Sequence, residues 1–166
     1  MPEEEADGGA EVGFDPAEWE RDVAKALFNG TWTLIDKPDR TGEDDIQMLL
    51  SAMAGRWHWG RVGGPEQVAT SDWQVGHVAS LVGFGTLALV FANRNLALAI
   101  AEEWDGWRLA SAHEGVARAC AVLGDVDGLN RHYAEAEAAL AREPDDEERE
   151  IIADQLKTIP REDSPS

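Results

Sequence analysis

The chain has 166 residues, with 33 acids against 14 Lys and Arg, a net charge of −19 at pH 7 and one cysteine. That length fits one domain with a sizeable core, a lone Cys120 excludes an internal disulfide and suits a reducing cytoplasm, and the lack of a basic stripe argues against nucleic acid, whose phosphates need neutralising. No stretch approaches the roughly 20 apolar residues of a membrane span, and the opening MPEEEADGGAEVG has neither the basic start nor the apolar run of a secretory signal.

Residues 1–13 are acidic and glycine-containing, and are expected to form a disordered tail. The first 20 residues carry eight acids and no base, so much of the charge belongs to this end and to residues 143–166. The bland reading of both ends is a solvated surface; contact with a basic partner is the alternative. Asp15-Pro16 reads as an N-cap followed by proline at the first helical position, predicting a helix to about Asp36. "KPDRTGED" is a turn, and Thr41 with Asp44 three residues on resembles a capping box that opens a second helix to about Arg61. After "GGPE", Pro65 opens a third helix that stops at Gly83. The fourth is expected over about Thr86–Trp104, the fifth up to Gly124-Asp125, the sixth over about Val126–Arg142 and the seventh over about Asp146–Thr158. Residues 160–166 read as a loose end. No segment alternates like a strand, and short connections predict antiparallel hairpins.

The stretch "GRWHWGRVGG", residues 55–64, looks at first like an aromatic cage. On a helix, however, Trp57 and Trp59 point about 200° apart. Trp57 continues the row Ile46, Leu50, Met53, and Trp59 continues Met48, Ala52, Gly55. A helix apolar on both sides is expected to be packed from both, so both tryptophans read as packing residues and His58 as a partly exposed, hydrogen-bonded side chain. The fourth helix repeats the pattern with Leu87, Phe91 and Leu98 against Leu89, Leu96 and Ile100. Two sandwiched helices suggest a layered stack.

A shift of 41 residues lays "SDWQVGHVASLVG" over "AHEGVARACAVLG", so that Val75 meets Val116, Gly76 meets Ala117, Ala79 meets Cys120 and Gly83 meets Gly124. This pattern resembles the tetratricopeptide-repeat family over residues 70–142. Ala117, Gly124, Tyr133 and Ala136 stand where that family wants a small residue, glycine, an aromatic and alanine; the earlier unit offers Gly76, Gly83 and Ala88. The unit here exceeds the family's roughly 34 residues, Asp72 and His113 occupy the place of its leading tryptophan, and Leu129 replaces its second-helix alanine. The chain also resembles small bacterial helical proteins carrying similar "KPDRT" and "HW" stretches. The resemblance implies an all-α, right-handed stack of antiparallel helical hairpins of the tetratricopeptide-like α-solenoid kind. It has about seven helices in one domain over residues 14–159, and the seventh is a terminal cap. Solenoids need such polar-faced ends.

On the helical wheel, Thr70, Trp73 and His77, with Ser80 nearby, lie opposite the apolar face of the third helix. Ser111, Glu114 and Arg118 lie opposite that of the fifth. The resemblance places all seven on a concave groove between these helices. A stackable aromatic, an imidazole, a carboxylate and a guanidinium there suit a peptide or protein partner, a basic one among the candidates. The expected role is therefore non-catalytic binding or scaffolding. The alternatives are a small enzyme or ligand sensor that closes the groove into a pocket with His77 and Glu114 as an acid–base pair, self-association into a homo-oligomer through unfinished apolar faces, or a groove filled by another helix with Glu114 paired to Arg118. Cys120 falls on a packed face and reads as inert. His132 and Glu135 form a solitary H-x-x-E, and "VGFGT" has no preceding strand. No cofactor, metal, nucleic acid or membrane is implied, and the expected location is cytoplasmic.

Overall fold

A computed structural model describes residues 13–161. It contains seven helices: α1 (Pro16–Ile35), α2 (Gly42–Val62), α3 (Pro65–Leu81), α4 (Gly85–Ala101), α5 (Gly106–Leu123), α6 (Val126–Leu140) and α7 (Asp146–Lys157). The described residues contain no strand. Except for Gly13, the expected acidic tail lies outside them, as does the loose end beyond Arg161.

The predicted punctuation acts as expected. Asp15 accepts from the Ala17 amide at 2.9 Å. Thr41 and Asp44 complete their capping box through the Thr41 amide (2.8 Å) and the Asp44 amide (3.2 Å). At the ends of α3 and α5 the chain reverses through Gly83 (φ 81°) and Gly124 (φ 71°), left-handed positions that glycine adopts without a Cβ penalty. The next amides then return, Phe84 to the Ala79 carbonyl at 2.8 Å and Asp125 to that of Cys120 at 3.0 Å. Asp145 caps α7 by accepting from the amides of Glu147 and Glu148.

Consecutive helices pair as hairpins, α1 with α2, α3 with α4 and α5 with α6, and the hairpins lie side by side with α7 against α5 and α6. Alanine dominates the buried surfaces: Ala79, Ala88, Ala92, Ala99, Ala110, Ala112, Ala117, Ala119, Ala136 and Ala139 are all buried. Alanine favours helix and lets axes approach to the short end of the usual ~8–10 Å. At Gly76 the approach is closer still; a Cβ there would lie 3.3 Å from the Ala88 carbonyl and 3.4 Å from the Ala92 amide nitrogen. Larger aliphatics fill the flanks, with Leu129, Leu140, Ile152, Leu156 and Ile159 under α7 and Met48, Val75 and Val78 near the other end. Asp72 on α3, 1% exposed, is clasped by Arg56 from α2 and by Arg94 from α4 at 3.4 Å, so one carboxylate ties two hairpins together.

One expectation fails. The α2 row Met48, Ala52, Gly55 is buried against α1 and α3, but the opposite row is bare: Ile46 is 55% exposed, Leu50 57%, Met53 41% and Trp57 67%. The reason is position. α2 has neighbours on one side only, whereas α4 lies between α3 and α5; its two rows are half-buried or buried from Leu87 to Leu98, and only Ile100, at the end of the second row, is 63% exposed. His58 takes the expected role, bonding Glu20 through Nδ1 with the Trp19 ring edge-on at 5.7 Å.

Candidate functional site: an indole-walled groove

The seven residues expected to share a groove divide into two groups. In the first, α7 fills the space. Glu114, 0% exposed, accepts from Trp73 Nε1–H at 2.9 Å through Oε2 and from Arg118 Nε–H at 2.7 Å through Oε1. Arg118 Nη2 goes on to donate to the Gln155 carbonyl at 3.0 Å and to Thr158 Oγ1 at 2.7 Å, both from the end of α7. Ser80 is buried and donates to the Gly76 carbonyl at 3.0 Å. This half of the groove is a plugged, ion-paired interior.

Three rings run along its edge. Trp32 of α1 stacks on Trp73 with centroids 5.9 Å apart and planes 24° apart, and Trp73 stacks on His77 at 4.8 Å and 22°. His77 Nδ1 is buried without a hydrogen-bond partner. Burial, and secondarily the Arg118 guanidinium, push its pKa down from 6.5 to about 3. It is therefore neutral in the folded protein at pH 7. As pH falls, the unfolded chain takes up this proton first, so the contribution of His77 to stability is intact above pH 6.5 and is lost between about 6.5 and about 3. His77→Phe should keep the stack, raise stability at pH 7 by about 1 kcal/mol by removing an unpaired polar atom, and flatten the acid limb by about 2 kcal/mol between pH 6.5 and 4.5. Urea unfolding at several pH values checks both. His113 and His132 are likewise pushed down, mainly by burial, so their effect is common to both proteins and the difference isolates His77.

In the second group, Thr70, Trp73 and Ser111 line an open hollow of about 250 Å³. Sequence reasoning missed most of its walls. Four indoles surround it: Trp32, Trp73, Trp104 and Trp107, with Phe28 on α1 and Ile151 and Ile152 on α7. Glu66 and Glu148 bring carboxylates to it, and the guanidinium of Arg108 lies 5.7 Å from the Trp104 ring and 5.0 Å from that of Trp107 while donating to Glu66 at 2.8 Å. A second hollow of about 310 Å³ adjoins it, sharing Phe28, Glu66 and Thr70 and ending on Trp59, Lys25 and Asn29. The groove is thus long, aromatic at one end and polar at its waist.

The chain matches no protein-family model, no curated protein and no solved structure.

The repeat marks Trp73 and Glu114, 41 residues apart and each the ninth residue of its helix, but not Trp32, which lies near the end of α1. Trp104 and Trp107 flank the start of α5 and carry no such mark. Of the other candidates, Cys120 is buried, and burial pushes its thiol up. His132 faces His113, Nδ1 to Nδ1 at 2.9 Å, and no cluster of three metal-binding side chains occurs among the described residues. No helix among them is long and apolar enough to cross a membrane.

Proposed function

We propose that this protein is a non-catalytic binding module of tetratricopeptide-like kind, and that its groove holds a short basic peptide segment in extended form. The observation that carries this reading is the pair of adjoining hollows sharing Phe28, Glu66 and Thr70. Two successive side-chain pockets with one common wall suit a chain better than a compact metabolite. The indole faces offer large apolar contact and attract cations, as the seat of Arg108 over two of them illustrates. Glu66 is paired with Arg108, so the preference for positive charge rests on Glu148, which has no basic partner among the described residues, and on the net charge of −19.

The closed-pocket alternative needs His77 and Glu114 to face a ligand together. Neither lines either hollow. Both Glu114 oxygens are committed, to Trp73 and to Arg118. The geometry therefore favours binding over acid–base chemistry.

The test is selection of random peptides on the full chain, followed by titration of tryptophan fluorescence. Selected sequences are expected to pair Lys or Arg with an aromatic or long aliphatic residue, and to bind less tightly as salt rises. Thr70 is exposed on the shared wall, so Thr70→Trp should fill the waist and weaken binding more than about tenfold while the melting temperature stays nearly constant. Peptides that bind Thr70→Trp as well as the natural chain, or a selection that enriches acidic sequences, would refute the reading.

A further inference from the structure

The bare row on α2 has a spacing of its own. Ile46, Leu50, Met53 and Trp57 are separated by four, three and four residues, the rhythm of a coiled-coil seam. Their exposures run from 41% to 67%, so together they present on the order of 500 Å² of apolar surface, near the largest patch a monomer normally leaves bare. A pair of such faces covers about 1,000 Å², the lower bound for a specific interface. The undescribed ends are poor candidates to cover it: residues 1–12 offer Met1 and Val12 as their only large apolar side chains, and residues 162–166 offer none.

Charge decides the orientation. Glu43, at the acidic start of α2, has no basic partner among the described residues, while its neighbours Asp44 and Asp45 are paired with Lys37 and Arg40. At the other end of the row, the Arg56 guanidinium lies over Gly60, and Arg61 is a half-exposed cation that donates to Glu20 through Nε at 2.6 Å. Turning a second copy end over end about the point between Leu50 and Met53 sets Leu50 on Met53, Ile46 on Trp57, and Glu43 against Gly60 and Arg61. A parallel pairing would set Glu43 on Glu43. We infer that the protein forms a twofold homodimer through antiparallel α2 helices, each burying the Ile46–Leu50–Met53–Trp57 row of the other. A surface that is its own complement under this rotation is what an isologous dimer requires. The groove lies on other helix faces, so dimerisation stands or falls independently of peptide binding.

Sedimentation of the full chain from about 1 to about 300 μM should show a mass rising by mass action from 18.1 kDa towards twice that value. Leu50→Glu should weaken association more than about tenfold with an unchanged helical spectrum, because it places two like charges in the seam. The Ile46→Cys, Trp57→Cys double variant should form interchain disulfides on mild oxidation. Ile46→Cys alone should not, since antiparallel copies hold those positions about 16 Å apart along the axis. A chain that stays monomeric over the whole range, a dimer indifferent to Leu50→Glu, or efficient cross-linking by Ile46→Cys alone overturns the proposal.

Discussion

Glu114→Ala lowers stability by about 3–5 kcal/mol, because it strands the Arg118 guanidinium in a dry interior. Arg118 is 5% exposed, and among the described residues Glu114 is the one carboxylate paired with it. The same change leaves the Trp73 Nε1–H without its acceptor. The loss extends to α7, whose last turn Arg118 holds through the Gln155 carbonyl and Thr158. The pair is needed as a pair rather than for its attraction alone. Removing both charges together, as in Glu114→Leu with Arg118→Met, should recover much of the loss, since buried ion pairs gain little over well-packed apolar residues of similar volume. Urea unfolding of the two single variants and the double variant closes the cycle. Roughly additive losses would mean that the two side chains act separately.

Trp73→Ala should cost about 3–5 kcal/mol, the usual loss for a large buried aromatic. This side chain is 7% exposed, stacks on Trp32 and His77, and donates to Glu114. Its outer edge also walls the hollow, so the variant should lose peptide binding through loss of the fold as much as through loss of contact. Trp73→Phe separates the two contributions. It keeps an aromatic face but leaves Glu114 Oε2 without a donor, at about 1–3 kcal/mol. Trp57→Ala is the control: at 67% exposure it should leave stability of the monomer within about 0.5 kcal/mol. Chemical denaturation at a protein concentration below that of association measures all three.

The helices were legible because their punctuation is local. Asp15-Pro16, the Thr41–Asp44 box, Gly83 and Gly124 each fix a boundary within a few residues, and each acts there as written. The two-sided packing of α2 misled because periodicity reports which faces are apolar, not which faces have a neighbour. The groove was half legible. Helical geometry brought Trp73, His77, Glu114 and Arg118 to one side of α3 and α5, but nothing within those helices reveals that α7 returns to lie on Arg118. That contact joins residues 37 and 40 positions apart. Trp104 and Trp107 were missed for a related reason: they sit at the join of a turn and a helix, where a wheel has no face to assign.

The hollow is walled by α1 on one side and α7 on the other, yet these two helices never touch; every helix rests only on the next one or two along the chain. The molecule is in this sense a split ring. The width of its gap is the sum of small tilts at every joint between the two lips, so no single hinge governs it. On the proposed binding role, a bulkier guest would spread a slight bend over the α1–α3, α3–α5 and α5–α7 contacts that link the two lips.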